Sequence, residues 1–426
     1  MKAFEKIIGY DYVKNELYQI IDMFKNKELY EKIGAKLPRG VLIHGDPGLG
    51  KTMLAEAFIE ECGVEAFVVK NMMFNRELLK AINDAFVSAS KLDKAIIFLD
   101  DMDKFSEDDD YNLDDRIFVT IQANIDSVKD KDVLVIATVN NINKLPESLK
   151  RNGRFDKKIQ VTAPTSSDAR KIIEYYLKSK KVCDNLNMED VTRMIDYVSC
   201  ADLESIINES AILATYARKD SIDINDIINA RIGDKYHSAK EELDCSEQEL
   251  METALHEAGH IVVAEAIKES SVGLAYIRVS ENNDVSGFTY LCEEIKRRPH
   301  NIMLALGGKV ACELFHSGRC ASGCQTDLLK AINIFKGGIY NNATYGMSFL
   351  DTSGKMTKEL SDVQLTRSEA VIQAELERYQ YKVREFLISN KEFLLRITNE
   401  LKEKRHLLYS DIQRIKKDFK IVGINE

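Results

Sequence analysis

A chain of 426 residues, 45% hydrophobic and 30% charged, has material for two or three domains with cores of their own and is no disordered polypeptide. Its net charge of −10, from 59 Lys and Arg against 69 Asp and Glu, argues against a nucleic-acid partner held through phosphate contacts. No apolar run approaches the ~18 residues of a membrane helix, and the N-terminal MKAFEKIIGYDYVKNEL lacks the apolar core of a secretory signal.

Residues 1–165 alternate short β-rich apolar runs with helical patterns. Strands are expected at Val41–His44, Ala66–Val69, Ala95–Leu99, Val133–Val139 and Lys158–Val161, giving an α/β domain with a five-stranded parallel sheet. After the first strand comes Gly45-Asp46-Pro47-Gly48-Leu49-Gly50-Lys51-Thr52, a GxxxxGK[ST] loop that opens the helical pattern KTMLAEAFIEEC. Glycines there let backbone N–H groups face a β-phosphate. Lys51 brings charge to the β- and γ-phosphates, and the Thr52 hydroxyl suits Mg²⁺. The strand Ala95–Leu99 ends in Asp100, placed to hold the Mg²⁺ shell, and Asp101 follows where a water-activating carboxylate is wanted. The expected ligands are ATP and Mg²⁺.

Residues 166–236 read as a small helical subdomain, and the charged stretch 237–249 as a linker. Residues 250–426 form a mostly helical domain with a strand-rich insert near 274–292. Its first helix carries His256-Glu257-Ala258-Gly259-His260. Histidines at i and i+4 share a helix face and can hold one metal ion, with Glu257 as general base. Leu250, Ala254, Ala258, Ile261 and Val262 make the apolar face of that helix. The eight cysteines, at 62, 183, 200, 245, 292, 312, 320 and 324, form no CxxC pair and suit the reduced thiols of a cytoplasmic protein. Cys320 and Cys324 read as small apolar fillers rather than metal ligands, because their spacing matches no common zinc knuckle.

On these motifs the sequence resembles the AAA family of ATPases, and more narrowly the FtsH-type ATP-dependent zinc metalloproteases, along nearly its whole length. Ile8-Gly9 resembles the adenine-contacting segment, and Val135–Asn140 is similar to the sensor strand, with Asn140 orienting the attacking water. Arg151-Asn152-Gly153-Arg154-Phe155-Asp156 is similar to the RPGRFD box. That likeness makes Arg151 and Arg154 arginine fingers acting on a neighbouring subunit, and so implies a ring, a homohexamer in the family. In isolation the same arginines would read as surface salt bridges. Ser199-Cys200-Ala201-Asp202-Leu203 is similar to SGADL. Phe74, in Met72-Met73-Phe74, stands where the family grips substrate polypeptide in the pore; a core aromatic beside a strand is the other reading.

The likeness continues through the metal helix. Ala321-Ser322-Gly323-Cys324-Gln325-Thr326-Asp327 resembles STGASND, which implies Asp327 as the third zinc ligand, leaving a fourth position open for water. Gly287–Leu291 resembles the strand beside the metal, either an edge that pairs with an extended substrate or simply core. The resemblance implies an ATP-driven, processive zinc protease acting on protein substrates. The alternatives are a remodelling ATPase with a non-catalytic metal site and an ATP-independent metallopeptidase.

Three departures stand out. Asp101 replaces the family's Glu, one methylene longer. The acidic SEDDDYNLDD at 106–115 replaces a Gly-rich pore loop. The family's membrane segment ahead of the ATPase domain is not visible in this sequence.

Overall fold

The computed structural model describes residues 3–70, 75–105, 114–196, 198–236, 246–279, 285–293, 295–316, 324–342, 344–345 and 362–424. In chain order the elements begin with α1 (Asp11–Lys25), α2 (Lys27–Glu31), β1 (Gly40–His44), α3 (Lys51–Cys62), β2 (Glu65–Lys70), α4 (Asn75–Ala89), β3 (Lys94–Asp100), α5 (Asp114–Ser127), β4 (Asp132–Val139) and β5 (Lys157–Gln160). Then come α6 (Ser166–Leu177), α7 (Met188–Ile195), α8 (Cys200–Tyr216), α9 (Ile224–Tyr236) and α10 (Glu247–Ile267). The antiparallel pair β6 (Val272–Val279) and β7 (Val285–Leu291) precedes α11 (Arg298–Phe315), α12 (Cys324–Asn342), α13 (Asp362–Ser389) and α14 (Lys391–Lys404), and β8 (His406–Leu408) and α15 (Tyr409–Lys416) close the chain.

Two compact units result: 1–182 with 196–222, and 183–195 with 223–426. In the first, five parallel strands run in the order β2-β3-β4-β1-β5. Side-chain alternation divides each central strand between two cores. Val41, Ile43, Ile96, Phe98, Leu134 and Ile136 face one. Leu42, Ala95, Ile97, Leu99, Val133, Val135 and Ala137 face the other. Both faces are apolar because helices cover both, which is why these strands read as continuous hydrophobic runs.

The second unit is built around α10. The sequence pattern gives this helix one apolar face, yet every residue from Thr253 to Glu265 is buried. It is enclosed by α11, α13, α14, β6 and β7. The three-stranded sheet runs β7-β6-β8, so β7 is an edge, and β8 is a strand that the sequence pattern did not announce. Segment 183–195 joins this unit through named bonds: Ser410 donates from its N–H and hydroxyl to Asp190, at 2.8 and 2.7 Å, and Arg193 Nη1 donates to Ser270 O at 2.8 Å. No helix among the described residues is long and apolar enough to cross a membrane.

Helices α10 and α11 meet at two glycines. A Cβ on Gly259 would stand 2.4 Å from Gly307 O, and one on Gly307 would stand 2.8 Å from Gly259 O. Gly259→Ala gains about 1 kcal/mol of helix propensity but forces backbone apart. A net loss of about 1–3 kcal/mol is expected in denaturant unfolding of the chain.

Candidate functional site

The first site lies at the C-terminal ends of β1, β3 and β4, where a parallel sheet opens its crevice. Gly45, Gly48 and Gly50 all have positive φ, at 154°, 76° and 81°, so the loop between β1 and α3 curls in a way L-residues resist. A Cβ on Gly48 would also stand 2.6 Å from Ser199 Oγ, and Ala201 N–H donates to Gly48 O at 3.1 Å. The start of α8, within the SCADL segment, is thereby docked on the loop. Gly9, at φ 72°, has no room for a side chain either, since a Cβ would meet Asp168 at 2.6 Å.

Lys51 is buried, and its ammonium donates to Asp46 O and to Asn140 Oδ1, both at 2.7 Å. Burial pushes this amine below the ordinary lysine range, while Asp101, Asp103 and Asp46 pull the other way. Asp100 Oδ1 accepts from the hydroxyls of Thr52 (2.9 Å) and Thr138 (2.7 Å). Asp101 sits in the left-handed region at φ 53°, its N–H bonded to Thr138 Oγ1 at 2.8 Å. Its Oδ1 accepts from Asn140 Nδ2 at 3.3 Å and its Oδ2 from Lys104 Nζ at 2.7 Å. The expected magnesium, base and sensor residues thus converge as one hydrogen-bonded set.

Two members of this set were not singled out in the sequence. Thr138 lies within the sensor strand and links Asp100 to Asp101. Buried Asp103 accepts from the N–H groups of Asn140 and Asn141, at 3.0 and 3.1 Å, and fixes the end of β4. A second carboxylate two residues beyond Asp101 was the available signal.

Arg151 is exposed. Arg154 is engaged within its own unit: Nη1 donates to Gln122 Oε1 (2.9 Å) and Ser148 O (2.7 Å), and Nη2 pairs with Asp126 (2.9 Å). Phe74 falls outside the described residues, as do 106–113 of the acidic run and 237–245 of the expected linker.

The second site is in the other unit. His256 and His260, one turn apart on α10, meet Asp327 from the first turn of α12. Asp327 Oδ2 lies 3.1 Å from His256 Nε2 and 3.0 Å from His260 Nε2, and the two imidazole nitrogens are 3.1 Å apart. A tetrahedral ion with ligand bonds of ~2.0–2.2 Å sets its ligand atoms roughly 3.3–3.6 Å apart, a few tenths of an ångström beyond these separations. Two imidazoles and one carboxylate at this spacing fit zinc. They are the group of metal-competent side chains found among the described residues.

Surrounding groups aim the ligands. His260 Nδ1 lies 2.8 Å from Leu304 O, a carbonyl that can only accept, so Nδ1 carries the proton and Nε2 is free to bind metal. Lys330 Nζ donates to the outer Asp327 oxygen at 2.8 Å. Gly308 lets α11 press on the His256 ring, because a Cβ there would stand 2.6 Å from two ring atoms. Glu257, 4% exposed, accepts from Thr289 Oγ1 at 2.7 Å, and Gly287 on β7 leaves the space its carboxylate fills. These groups line a cleft of about 910 Å³ with Phe288, Leu304, Asn333 and Ile334. Leu304, Gly308 and Lys330 carried no sequence signal of a role, since none belongs to a ligand motif, whereas Thr289 lies in the Gly287–Leu291 segment that the resemblance put beside the metal.

Burial alone would raise the Asp327 carboxyl, but hydrogen bonds from both histidines and Lys330 hold it well below the usual carboxylate range. Burial would likewise lower His260, yet Asp327 and Glu257 raise it above the ordinary histidine value. The proton on His260 therefore persists to higher pH than on a free imidazole, and zinc must displace it. Zinc affinity is therefore expected to climb with pH beyond the ordinary histidine range, where His260 still has a proton to lose. Competition with a chromophoric chelator at pH 6 and pH 8 checks this.

Residues 41–163 match the family model "ATPase family associated with various cellular activities (AAA)". The chain is also similar to three proteins named ATP-dependent zinc metalloprotease FtsH. That of Malacoplasma penetrans is 32% identical over 81% of this chain and 44% of its own length. For Mycoplasma pneumoniae the values are 28%, 98% and 62%, and for Mycoplasmoides gallisepticum 31%, 78% and 46%. The chain spans about half the length of these curated relatives. The AAA match lies over the five-stranded parallel sheet, and the likeness to proteins named FtsH runs through 78–98% of this chain, including the mostly helical region with the His-His-Asp cluster.

Proposed function

We propose that this FtsH-type relative is an ATP-dependent zinc metalloprotease that unfolds protein substrates and hydrolyses their peptide bonds. The observation that carries the reading is Glu257. Its carboxylate faces the cleft beside a zinc-competent His256–His260–Asp327 cluster, in a chain that also holds a complete P-loop site. A metal bound only for structure has no use for an adjacent carboxylate base, which disfavours the remodelling ATPase with a non-catalytic site.

His256, His260 and Asp327 would hold the zinc, which when bound polarises the scissile carbonyl and activates water. Glu257 takes the proton of the attacking water and passes it to the leaving amine. Thr289, donating to Glu257 Oε2, keeps that carboxylate turned into the cleft. The strand β7, an edge of its sheet among the described residues, gives an extended polypeptide a surface to pair with, with little demand on sequence.

In the ATPase unit, Gly45–Gly50 wrap the phosphates, Lys51 neutralises charge on the β- and γ-phosphates, and Gly9 borders the base. Thr52 and Asp100 would hold Mg²⁺. Asp101 and Asn140 orient the attacking water, while Arg151 and Arg154 reach the nucleotide of the next subunit in a homohexameric ring. To do so, Arg154 must release Asp126. Phe74 grips the substrate chain. We place the activity in the cytoplasm.

The test is degradation of an unfolded reporter protein by the full chain with ATP, without ATP, and with a chelator. Loss of cleavage on either omission is expected. ATP turnover with no cleavage under any condition overturns the reading, and cleavage indifferent to ATP favours an ATP-independent metallopeptidase.

A further inference from the structure

The two zinc-competent histidines are held from behind in different ways. His260 presents Nδ1 to a backbone carbonyl, Leu304 O, at 2.8 Å. His256 presents Nδ1 to a thiol, Cys324 Sγ, at 3.5 Å. Cys324 is 7% exposed and opens α12, and Asp327 follows three residues later on the same helix face. One turn of α12 therefore sends a carboxylate to the near edge of the His256 ring and a sulfur to its far edge. The Gly308 side of α11 closes on the same ring, so the imidazole cannot swing away from either contact.

We propose that Cys324 is a positioning residue for zinc, acting through His256, and that it fixes the ring in its metal-binding tautomer. The proposal rests on the zinc reading of the cluster. With Nδ1–H donated to the sulfur, the Nε2 lone pair faces His260 and Asp327, as ligation requires. Direct ligation by Cys324 is ruled out by the same geometry: its sulfur lies at Nδ1, across the ring from the Nε2 atoms that converge on Asp327. A thiol both donates and accepts weakly, whereas a carbonyl only accepts. The tautomer of His256 therefore depends on this one sulfur contact, so its removal is what the metal will register.

The test uses the full-length chain stripped of metal, with zinc returned against a chromophoric chelator and with Co²⁺ as a spectroscopic probe. Cys324→Ala is expected to weaken zinc binding about 10-fold, the effect of losing a partner behind a ligand. Cys324→Ser, which keeps an acceptor, is expected to stay within about threefold of the parent. Thermal unfolding of both metal-free variants is expected to match the parent, which separates orientation of a ligand from filling of the core. The Co²⁺ form should lack a thiolate-to-metal charge-transfer band. Unchanged zinc affinity in the alanine variant overturns the proposal alone, as does an equal loss in both variants or a thiolate band in the Co²⁺ form. A parent chain that takes up no zinc overturns the metal-site reading along with it.

Discussion

Replacing Glu257 by Gln is expected to lower peptide-bond cleavage by about 10²–10⁴-fold while zinc content and ATP turnover stay at the parent level. The substitution is nearly isosteric, and its pocket is already shaped: Gly287 leaves the room, and Thr289 Oγ1 holds one oxygen at 2.7 Å. What changes is that an amide cannot take a proton. The ligand atoms of His256, His260 and Asp327 are untouched, so metal uptake is expected to persist. Reporter degradation, bound zinc and phosphate release measured on one preparation check all three expectations. Cleavage by Glu257→Gln at the parent rate would remove this residue from the chemistry.

Lys51→Met should reduce ATP turnover by at least ~10²-fold, the scale of losing one preorganised charge at a transferring phosphoryl group. The ammonium is already held at 2.7 Å from both Asp46 O and Asn140 Oδ1, so its aim is set before nucleotide arrives. Degradation of a folded reporter is expected to disappear with ATP turnover. Cleavage of a short unstructured peptide is expected to continue, because the zinc-competent cluster belongs to the other unit. Equal loss of both cleavages would mean that Lys51 supports the structure of the chain rather than its engine, and circular dichroism would show it.

Much of the nucleotide site was legible because its residues act through local geometry. Three glycines before Lys51-Thr52, after a buried strand, leave few alternatives to a phosphate loop, and the structure gives each of them a positive φ. The central strands β1, β3 and β4 were legible for a related reason: buried on both faces, their runs are almost wholly apolar. The metal helix was legible in chemistry and misleading in burial. Its i, i+4 histidines depend only on helix periodicity, whereas its complete enclosure depends on five elements that arrive later in the chain. Periodicity marks one apolar face. Residues off that face, such as Glu257 and Gly259, show as buried only once neighbours press on them.

The sequence by itself pointed to two chemistries, the chain order of the motifs and the candidate reacting groups. Those properties reside in side-chain type and short-range spacing, which any chain with this order must carry. Only tertiary structure decided which groups support them. Thr138 joins Asp100 to Asp101, Asp103 anchors Asn140, Arg154 is tied to Asp126, and Thr289 faces Glu257. It also separated His260, fixed by a backbone carbonyl, from His256, backed by a thiol. The physical reason is range. A hydrogen bond between residues 28 to 68 positions apart leaves no periodic trace in the sequence, so folding alone reveals the partner.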